Sequence, residues 1–224
     1  MGQRGVRDDA AGVFITFEGI DGCGKTTQLK LLAHYLRERG RRVLETREPG
    51  GTDIGRALRA VLLDPANAAI TPACELLLYM ADRVQHLSQV IRPALARGEV
   101  VLCDRFHDAT VAYQSHARGL SLDSLQGFIR EDILSTSPHT TFWLDMDVGL
   151  ARRRMAERAR EADENAPAES RLDDAEEDFH RRVRAGYQAI CKAEPQRVIR
   201  IEAGGTEQET ALLIRKSLEE RHEL

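Results

Sequence analysis

Little in this sequence points to a membrane, to nucleic acid or to a metal cluster. No apolar run approaches the roughly 20 residues that a membrane span requires. The first twelve residues are polar and lack the apolar centre of a signal peptide, so residues 1–12 are expected to form a flexible N-terminal tail. Neither sign of charge dominates: the net charge is −4 and the pI about 6.0, which argues against a nucleic-acid partner. The four cysteines (Cys23, Cys74, Cys103 and Cys191) are far apart and form no C-x-x-C. A zinc site or a disulfide framework is therefore not expected, and a reducing cytoplasm is the natural setting. Internal repeats and low-complexity tracts are absent as well. What remains is 224 residues, 42% hydrophobic and 30% charged. That suits a single domain over residues 13–224 with a sizeable core.

The most informative stretch is Gly19-Ile20-Asp21-Gly22-Cys23-Gly24-Lys25-Thr26, which reads G-x-x-x-x-G-K-[ST]. The residues before it, Val13 to Glu18, are apolar and β-branched and predict a buried strand. After it, Leu29, Leu32, Ala33 and Leu36 recur at helical spacing, so a helix is expected from Thr27 to Arg39. Glycines without a Cβ let the backbone curl around a ligand. Their N–H groups then form an anion nest at a helix N-terminus. Lys25 would place a charge on the β- and γ-phosphates, and the Thr26 hydroxyl can ligate Mg²⁺. The loop implies a nucleoside triphosphate and leaves the acceptor open.

Along the rest of the chain, strands alternate with helices. Strands are expected at 42–46, 99–103, 140–146 and 198–201. A helix runs through Ile54, Ala57, Leu58, Val61 and Leu62 and stops near Asp64-Pro65. Thr71-Pro72 reads as an N-cap with proline at the first helical position. That helix can extend to Arg97, with a kink or restart at Pro93. Shorter helical segments are expected at Ala109–Gln114 and Leu122–Leu134, then helices at 149–160, 173–193 and 207–220. A polar break lies at Asp163–Ser170. The pattern predicts an α/β fold, a five-stranded parallel sheet covered by helices on both faces. Ligands of such sheets bind beyond the carboxyl ends of the strands. Three polar clusters would converge there: the phosphate loop, the turn Thr46–Gly51 and the pair Asp104-Arg105.

Each cluster has a plain structural reading beside a functional one. Asp104 can hold Mg²⁺ through water, orient Lys25 or merely cap a helix. Arg105 offers a fork of donors to a phosphate, or pairs with Asp104 or Asp108. Tyr79 lies one turn before Arg83, so the two can stack on and hydrogen-bond a planar base, or Tyr79 can simply be core. Arg152, Arg153, Arg154, Arg158 and Arg160 form either an arginine-bearing lid or a solvated helix face.

Together these stretches resemble thymidylate kinases. The resemblance is carried by Phe17–Thr27, Thr46–Thr52, Ala81–His86, Cys103–Phe106, Ala112–Gln114, Arg118-Gly119 and Phe179–Tyr187, collinear over residues 13–202. It implies a P-loop NTPase three-layer fold that transfers phosphate from ATP to dTMP, with Mg²⁺ as cofactor. Gly19 to Thr27, with Ile20, Asp21, Gly22, Cys23 and Gly24 between, would bind ATP through Lys25 and Thr26. Thr26 and, through water, Asp104 would hold the metal. Asp21 would reach the 3′-hydroxyl of dTMP, Pro49 would border that ligand, and Arg59 and Arg105 would hold its phosphate. Tyr79 would stack on thymine, Arg83 would contact it, and Thr110 with Gln114 would complete the base pocket. Because the phosphate loop has no arginine, the lid (about 149–172) would supply the catalytic one, with Arg152 and Arg154 as the matching positions. A homodimer follows by analogy. Ala109 stands where relatives often have serine, and the lid is longer than usual. Two other readings stay open here: a kinase for another nucleoside monophosphate, and a nucleotide-dependent switch.

Overall fold

A computed structural model describes residues 12–121, 136–161 and 177–222. Five strands form one sheet: β1 (Val13–Glu18), β2 (Val43–Arg47), β3 (Val100–Asp104), β4 (Thr140–Asp145) and β5 (Val198–Glu202). They are all parallel, in the order β2-β3-β1-β4-β5. The register places Phe17 and Arg47 on either side of Asp104, so β1, β2 and β3 end level with one another. The chain leaves β1 towards β2 and leaves β3 towards β4, in opposite directions. The crevice beyond β1 and β3 is therefore a topological switch point, where ligands of open α/β sheets bind.

Helices cover both faces because both faces are apolar. Ile15, Phe17, Leu102 and Phe142 join a cluster with Leu29, Leu32 and Leu36 of α1 (Lys25–Glu38) and Ile214 and Leu218 of α8 (Glu207–Glu219). Strand side chains alternate, so Phe14, Val101 and Cys103 point the other way. They meet Leu87, Ile91, Ala94 and Phe106. The remaining helices are α2 (Asp53–Leu63), α3 (Pro72–His86), α4 (Arg92–Ala96), α5 (His107–Thr110), α6 (Val148–Glu161) and α7 (Glu177–Ala193). Thr71 caps α3, its hydroxyl accepting from the Cys74 N–H at 3.3 Å, with Pro72 in the first turn.

The long helix expected to Arg97 is divided. A π-helical turn, Leu87–Ile91, separates α3 from α4. Pro93 has no N–H to offer the preceding turn, and the widened turn lies just ahead of it. A second π-helical stretch, Val111–Ala117, follows α5. In α2 the expected apolar stripe is turned partly outward: Ile54 and Val61 are exposed while Leu62 is buried. The expected helix at 122–134, the break at 163–170 and most of the N-terminal tail lie outside the described residues. Among the described residues no helix is long and apolar enough to cross a membrane.

Candidate active site

The phosphate loop joins β1 to α1 and rests against α6. Gly22 has φ +82°, and a Cβ there would lie 2.4 Å from the Ala151 carbonyl oxygen. Only glycine permits both that backbone and that approach. Lys25 Nζ donates to the Ile20 carbonyl at 2.9 Å and lies 3.8 Å from the Asp21 carboxylate. The Thr26 hydroxyl donates to Asp104 Oδ2 at 2.5 Å. Asp104 ends β3, whereas Thr26 lies in the first turn of α1 beyond the loop that follows β1; the register of β1 and β3 brings the two within reach.

Arg105 is the centre of a polar network. Its φ of +70° is the one positive value outside glycine among the described residues, a conformation that costs a non-glycine residue on the order of 1–3 kcal/mol. Nη2 donates to Asp21 Oδ1 at 2.6 Å and to the Tyr113 hydroxyl at 3.1 Å. Nη1 donates to the Gly19 carbonyl at 2.9 Å and to the Tyr187 hydroxyl at 3.3 Å. Tyr187 in turn donates to Glu18 Oε2 at 2.7 Å. The structural alternative to a phosphate for Arg105 was a pair with Asp104 or Asp108; the carboxylate it meets is Asp21, while Asp108 is held by Arg197 at 2.7 Å. Burial pushes the Asp21 carboxyl up, but Arg105 and Lys25 outweigh it and hold the group well below the usual carboxylate range. Glu18 goes the other way. Burial and the neighbouring Asp108 push it up to about 7, against Arg105, Tyr187 and the Phe106 N–H.

A cavity of about 300 Å³ opens beside this network. It brings together Asp21, Lys25, Thr26, Pro49, Arg59, Tyr79, Arg83, Asp104, Arg105, Thr110 and Gln114. The Arg83 guanidinium is buried and fixed: Nε donates to Glu48 Oε2 at 2.7 Å, Nη1 to Thr110 Oγ1 at 3.0 Å and Nη2 to the Phe106 carbonyl at 3.0 Å. Arg59 donates to the Pro49 carbonyl at 3.1 Å, and burial with nearby Arg47 lowers its proton affinity. Five arginines line the cavity, Arg47, Arg59, Arg83, Arg105 and Arg158, which suits it to an anion. Sequence reasoning missed Arg47, and it missed what holds the Glu48–Thr52 turn. His86 Nδ1 lies 2.9 Å from Glu48 Oε1, and Asp82 accepts from the Gly50 N–H at 3.0 Å. A Cβ on Gly51 would lie 2.4 Å from His86 Nε2, so the turn is seated directly on α3. The spacing Asp82-Arg83-x-x-His86 was the available signal: all three side chains are buried and directed at that turn.

A second cavity, about 340 Å³, lies on the other side of the phosphate loop. Ala203, Gly205, Thr206 and Glu207, beyond the end of β5, line it with Cys23 and Gln28. None of the residues beyond β5 had been anticipated; a Gly-Gly-Thr sequence at a strand end was the clue. Arg154 of α6 borders this cavity and donates to the carbonyls of Ala203 and Gly205 at 3.3 and 2.9 Å. Arg152 is exposed and lines neither cavity. Arg158, on the same helix, lines both. Cys23 is buried, and burial pushes its thiol up despite Lys25 and Arg105.

Two cavities that share Gly22, Gly24, Thr27 and Arg158 can hold two phosphorylated ligands tail to tail across one phosphate loop. That arrangement, at the carboxyl end of the central strand, defines a P-loop phosphotransferase. Comparison with known proteins narrows the class. The family model for thymidylate kinase matches residues 17–214. The thymidylate kinases of Geotalea daltonii and Gloeobacter violaceus are 48% and 46% identical to this chain, over 91% and 92% of it and 94% of each relative. The crystal structure of thymidylate kinase from Ehrlichia chaffeensis superposes with a TM-score of 0.73 at 32% identity, covering 94% of this chain and all of that one. This chain belongs to the thymidylate kinase family, enzymes that phosphorylate dTMP to dTDP at the expense of ATP.

Proposed function

We propose that the two cavities divide the reaction between them. ATP occupies the side of Arg154, Ala203 and Thr206, and dTMP occupies the side of Tyr79, Arg83 and Arg105. The observation that carries this reading is the phosphate loop lining both. In the reaction a dTMP phosphate oxygen attacks the γ-phosphorus of ATP, and the bond from that phosphorus to the β–γ bridging oxygen breaks to leave ADP. No covalent enzyme intermediate is needed. The protein's part is to align two phosphates and to neutralise charge.

The residues divide accordingly. The loop from Gly19 to Thr27 would cradle the ATP phosphates, with Lys25 as a point charge. Arg59 and Arg105 would hold the dTMP phosphate beside Pro49, and Asp21 its 3′-hydroxyl. Tyr79 would stack on thymine, with Arg83, Thr110 and Gln114 at its edge. Lid arginines would meet the transferring group. Arg158 is best placed, Arg154 grips the donor end, and Arg152 would need the lid to move. The site also fits Mg²⁺. A threonine hydroxyl and a carboxylate, Thr26 and Asp104, lie within 2.5 Å at the loop, hard oxygen donors of the kind Mg²⁺ takes alongside substrate phosphates. When bound, the metal neutralises charge on the phosphate oxygens.

Ile54 and Val61 on α2, with Leu77 and Val84 on α3, leave apolar side chains exposed on two helices that pack together. We assign this face to a homodimer. Sedimentation at micromolar concentration should give a dimer, and a monomer would refute the assignment. We place the enzyme in the cytoplasm, a reading that rests on four cysteines widely separated in the sequence with no C-x-x-C.

The test of function is a panel of dTMP, dUMP, dCMP, dGMP and dAMP with Mg-ATP, read as ADP release. The dTMP reaction should dominate. A better rate on another monophosphate, or none on dTMP, would overturn the reading.

A further inference from the structure

Of the three groups assigned to the thymine edge, Arg83 and Gln114 differ in how they are held. Arg83 can only donate, whatever its surroundings. Gln114 can donate or accept, and its amide reads the base only if something decides which end faces the cavity. Glu75 makes that decision. It sits one turn before Tyr79 and two turns before Arg83, so the three occupy one stripe of α3. Gln114 comes from the π-helical stretch Val111–Ala117 opposite, and both Glu75 and Gln114 are buried.

Gln114 Nε2 donates to Glu75 Oε1 at 2.9 Å. The Arg118 guanidinium holds the same carboxylate, with Nη2 donating to Oε2 at 3.0 Å. A carboxylate paired with arginine accepts and does not donate. The amide nitrogen of Gln114 must therefore face Glu75, because turning the amide would set two acceptor oxygens against each other in a buried site. The group left to face the cavity is the carbonyl oxygen Oε1.

We infer that Glu75 is a positioning residue for base selection: it fixes the Gln114 amide so that Oε1 accepts the N3–H of thymine. The inference rests on the assignment of the first cavity to dTMP. Thymine then meets two matched partners, its N3–H facing an acceptor and its O4 facing the donors of Arg83. Cytosine meets two mismatches, since its N3 is an acceptor and its 4-amino group a donor. Leaving such groups unpaired is what makes discrimination large. Uracil presents the same edge as thymine, so this device separates thymine from cytosine and not thymine from uracil.

The experiment measures kcat and KM for dTMP, dUMP and dCMP in the wild type, Glu75→Gln, Gln114→Ala and Arg118→Met, with the melting temperature of each. A glutamine at position 75 can donate as well as accept, so it releases the lock. In Glu75→Gln the dTMP/dCMP ratio of kcat/KM should fall by about tenfold, the size of one ordinary hydrogen bond, mostly through a higher KM for dTMP. The dTMP/dUMP ratio should hold. Arg118→Met should lose melting temperature and also part of the dTMP/dCMP ratio, because without the guanidinium the buried Glu75 carboxyl can bind a proton and donate, which loosens the lock. If Glu75→Gln loses stability while its dTMP/dCMP ratio equals that of the wild type, Glu75 is only an anchor for Arg118 and the inference is wrong. Should Glu75→Gln fail to fold, Gln114→Ala decides: it must lose the same discrimination, and an unchanged ratio there refutes the proposal. A wild type inactive on dTMP would instead remove the functional assignment itself.

Discussion

Arg105 and Asp21 stand 84 positions apart in the chain, yet their side chains meet at 2.6 Å. The bond ties the end of β3 to the phosphate loop. Under the proposed assignment of the first cavity to dTMP, this guanidinium faces the acceptor phosphate while one carboxylate neutralises part of its charge. A lysine has one point charge where Arg105 has a planar fork, and it cannot serve Asp21, Tyr113, Tyr187 and the Gly19 carbonyl together. Arg105→Lys should lower kcat/KM for dTMP by on the order of 10²–10³ and leave the KM for ATP nearly unchanged. Steady-state kinetics with each substrate varied in turn will check it; a loss confined to ATP would contradict the assignment.

Helix α6, the proposed lid helix, offers several arginines with different surroundings. Arg158 borders both cavities, whereas Arg152 borders neither. A group that stabilises charge mainly in the transition state shows itself in kcat. Arg158→Ala should therefore lower kcat more than Arg152→Ala does. Arg154→Ala should mainly raise the KM for ATP, because its bonds lie at the second cavity. If Arg152→Ala proves the most damaging to kcat, the lid closes further than its position here indicates.

Glu18 makes stability depend on pH. Burial and Asp108 push its carboxyl up to about 7 from 4.5, so between those values the folded protein binds more protons than the unfolded chain. Stability contributed by the protonated group is complete below about pH 4.5 and is lost as pH rises through 7. The loss is up to about 3 kcal/mol. Glu18→Gln stays neutral, and it should show a smaller drop in melting temperature between pH 5 and pH 8 than the wild type. Parallel curves for the two proteins would show that Glu18 is ionised across the range.

Two glycines of the loop separate strain from crowding. Gly22 and Gly24 both have positive φ, but a Cβ on Gly24 meets nothing within 4 Å while one on Gly22 strikes the Ala151 carbonyl at 2.4 Å. Gly24→Ala should cost only the backbone term, about 1 kcal/mol. Gly22→Ala should cost more, since α6 must shift as well. Urea unfolding of both variants gives the comparison, and equal losses would mean that α6 yields freely.

Cys23 should resist alkylation. A helix N-terminus and Lys25 favour its thiolate, but burial outweighs them and raises its pKa. Cys74 is exposed. Iodoacetamide at neutral pH should label Cys74 first, with activity retained, as peptide mass spectrometry and an assay of the labelled enzyme will show. Early label on Cys23 with loss of activity would mean that the loop opens in solution.

Much of the fold could be read directly. Every expected strand is present within a residue or two, because a two-sided parallel sheet imposes short runs such as Val100–Leu102 that are apolar on both faces. Thr71-Pro72 marks its helix start for an equally local reason, a hydroxyl and a missing N–H. The split of the long helix at Leu87–Ile91 was signalled by Pro93, though not its form. The outward turn of Ile54 and Val61 was not legible. Helical spacing says that one face is apolar, and only the neighbours say what covers it.

In this protein the local pattern of residue types determined the parallel sheet, the phosphate loop and the set of side chains delivered to the strand ends, because each rests on chemistry within a few residues. Which of those side chains bind one another was decided only by the folded arrangement. Arg105 finds Asp21 and not Asp104, Arg154 turns to the Gly205 carbonyl, Gln114 is oriented by Glu75, and Cys23 is buried under its own loop. Partner choice among charged and polar groups depends on distance and burial in three dimensions, and residues 84 positions apart in sequence have neither until the sheet has brought their strand ends level.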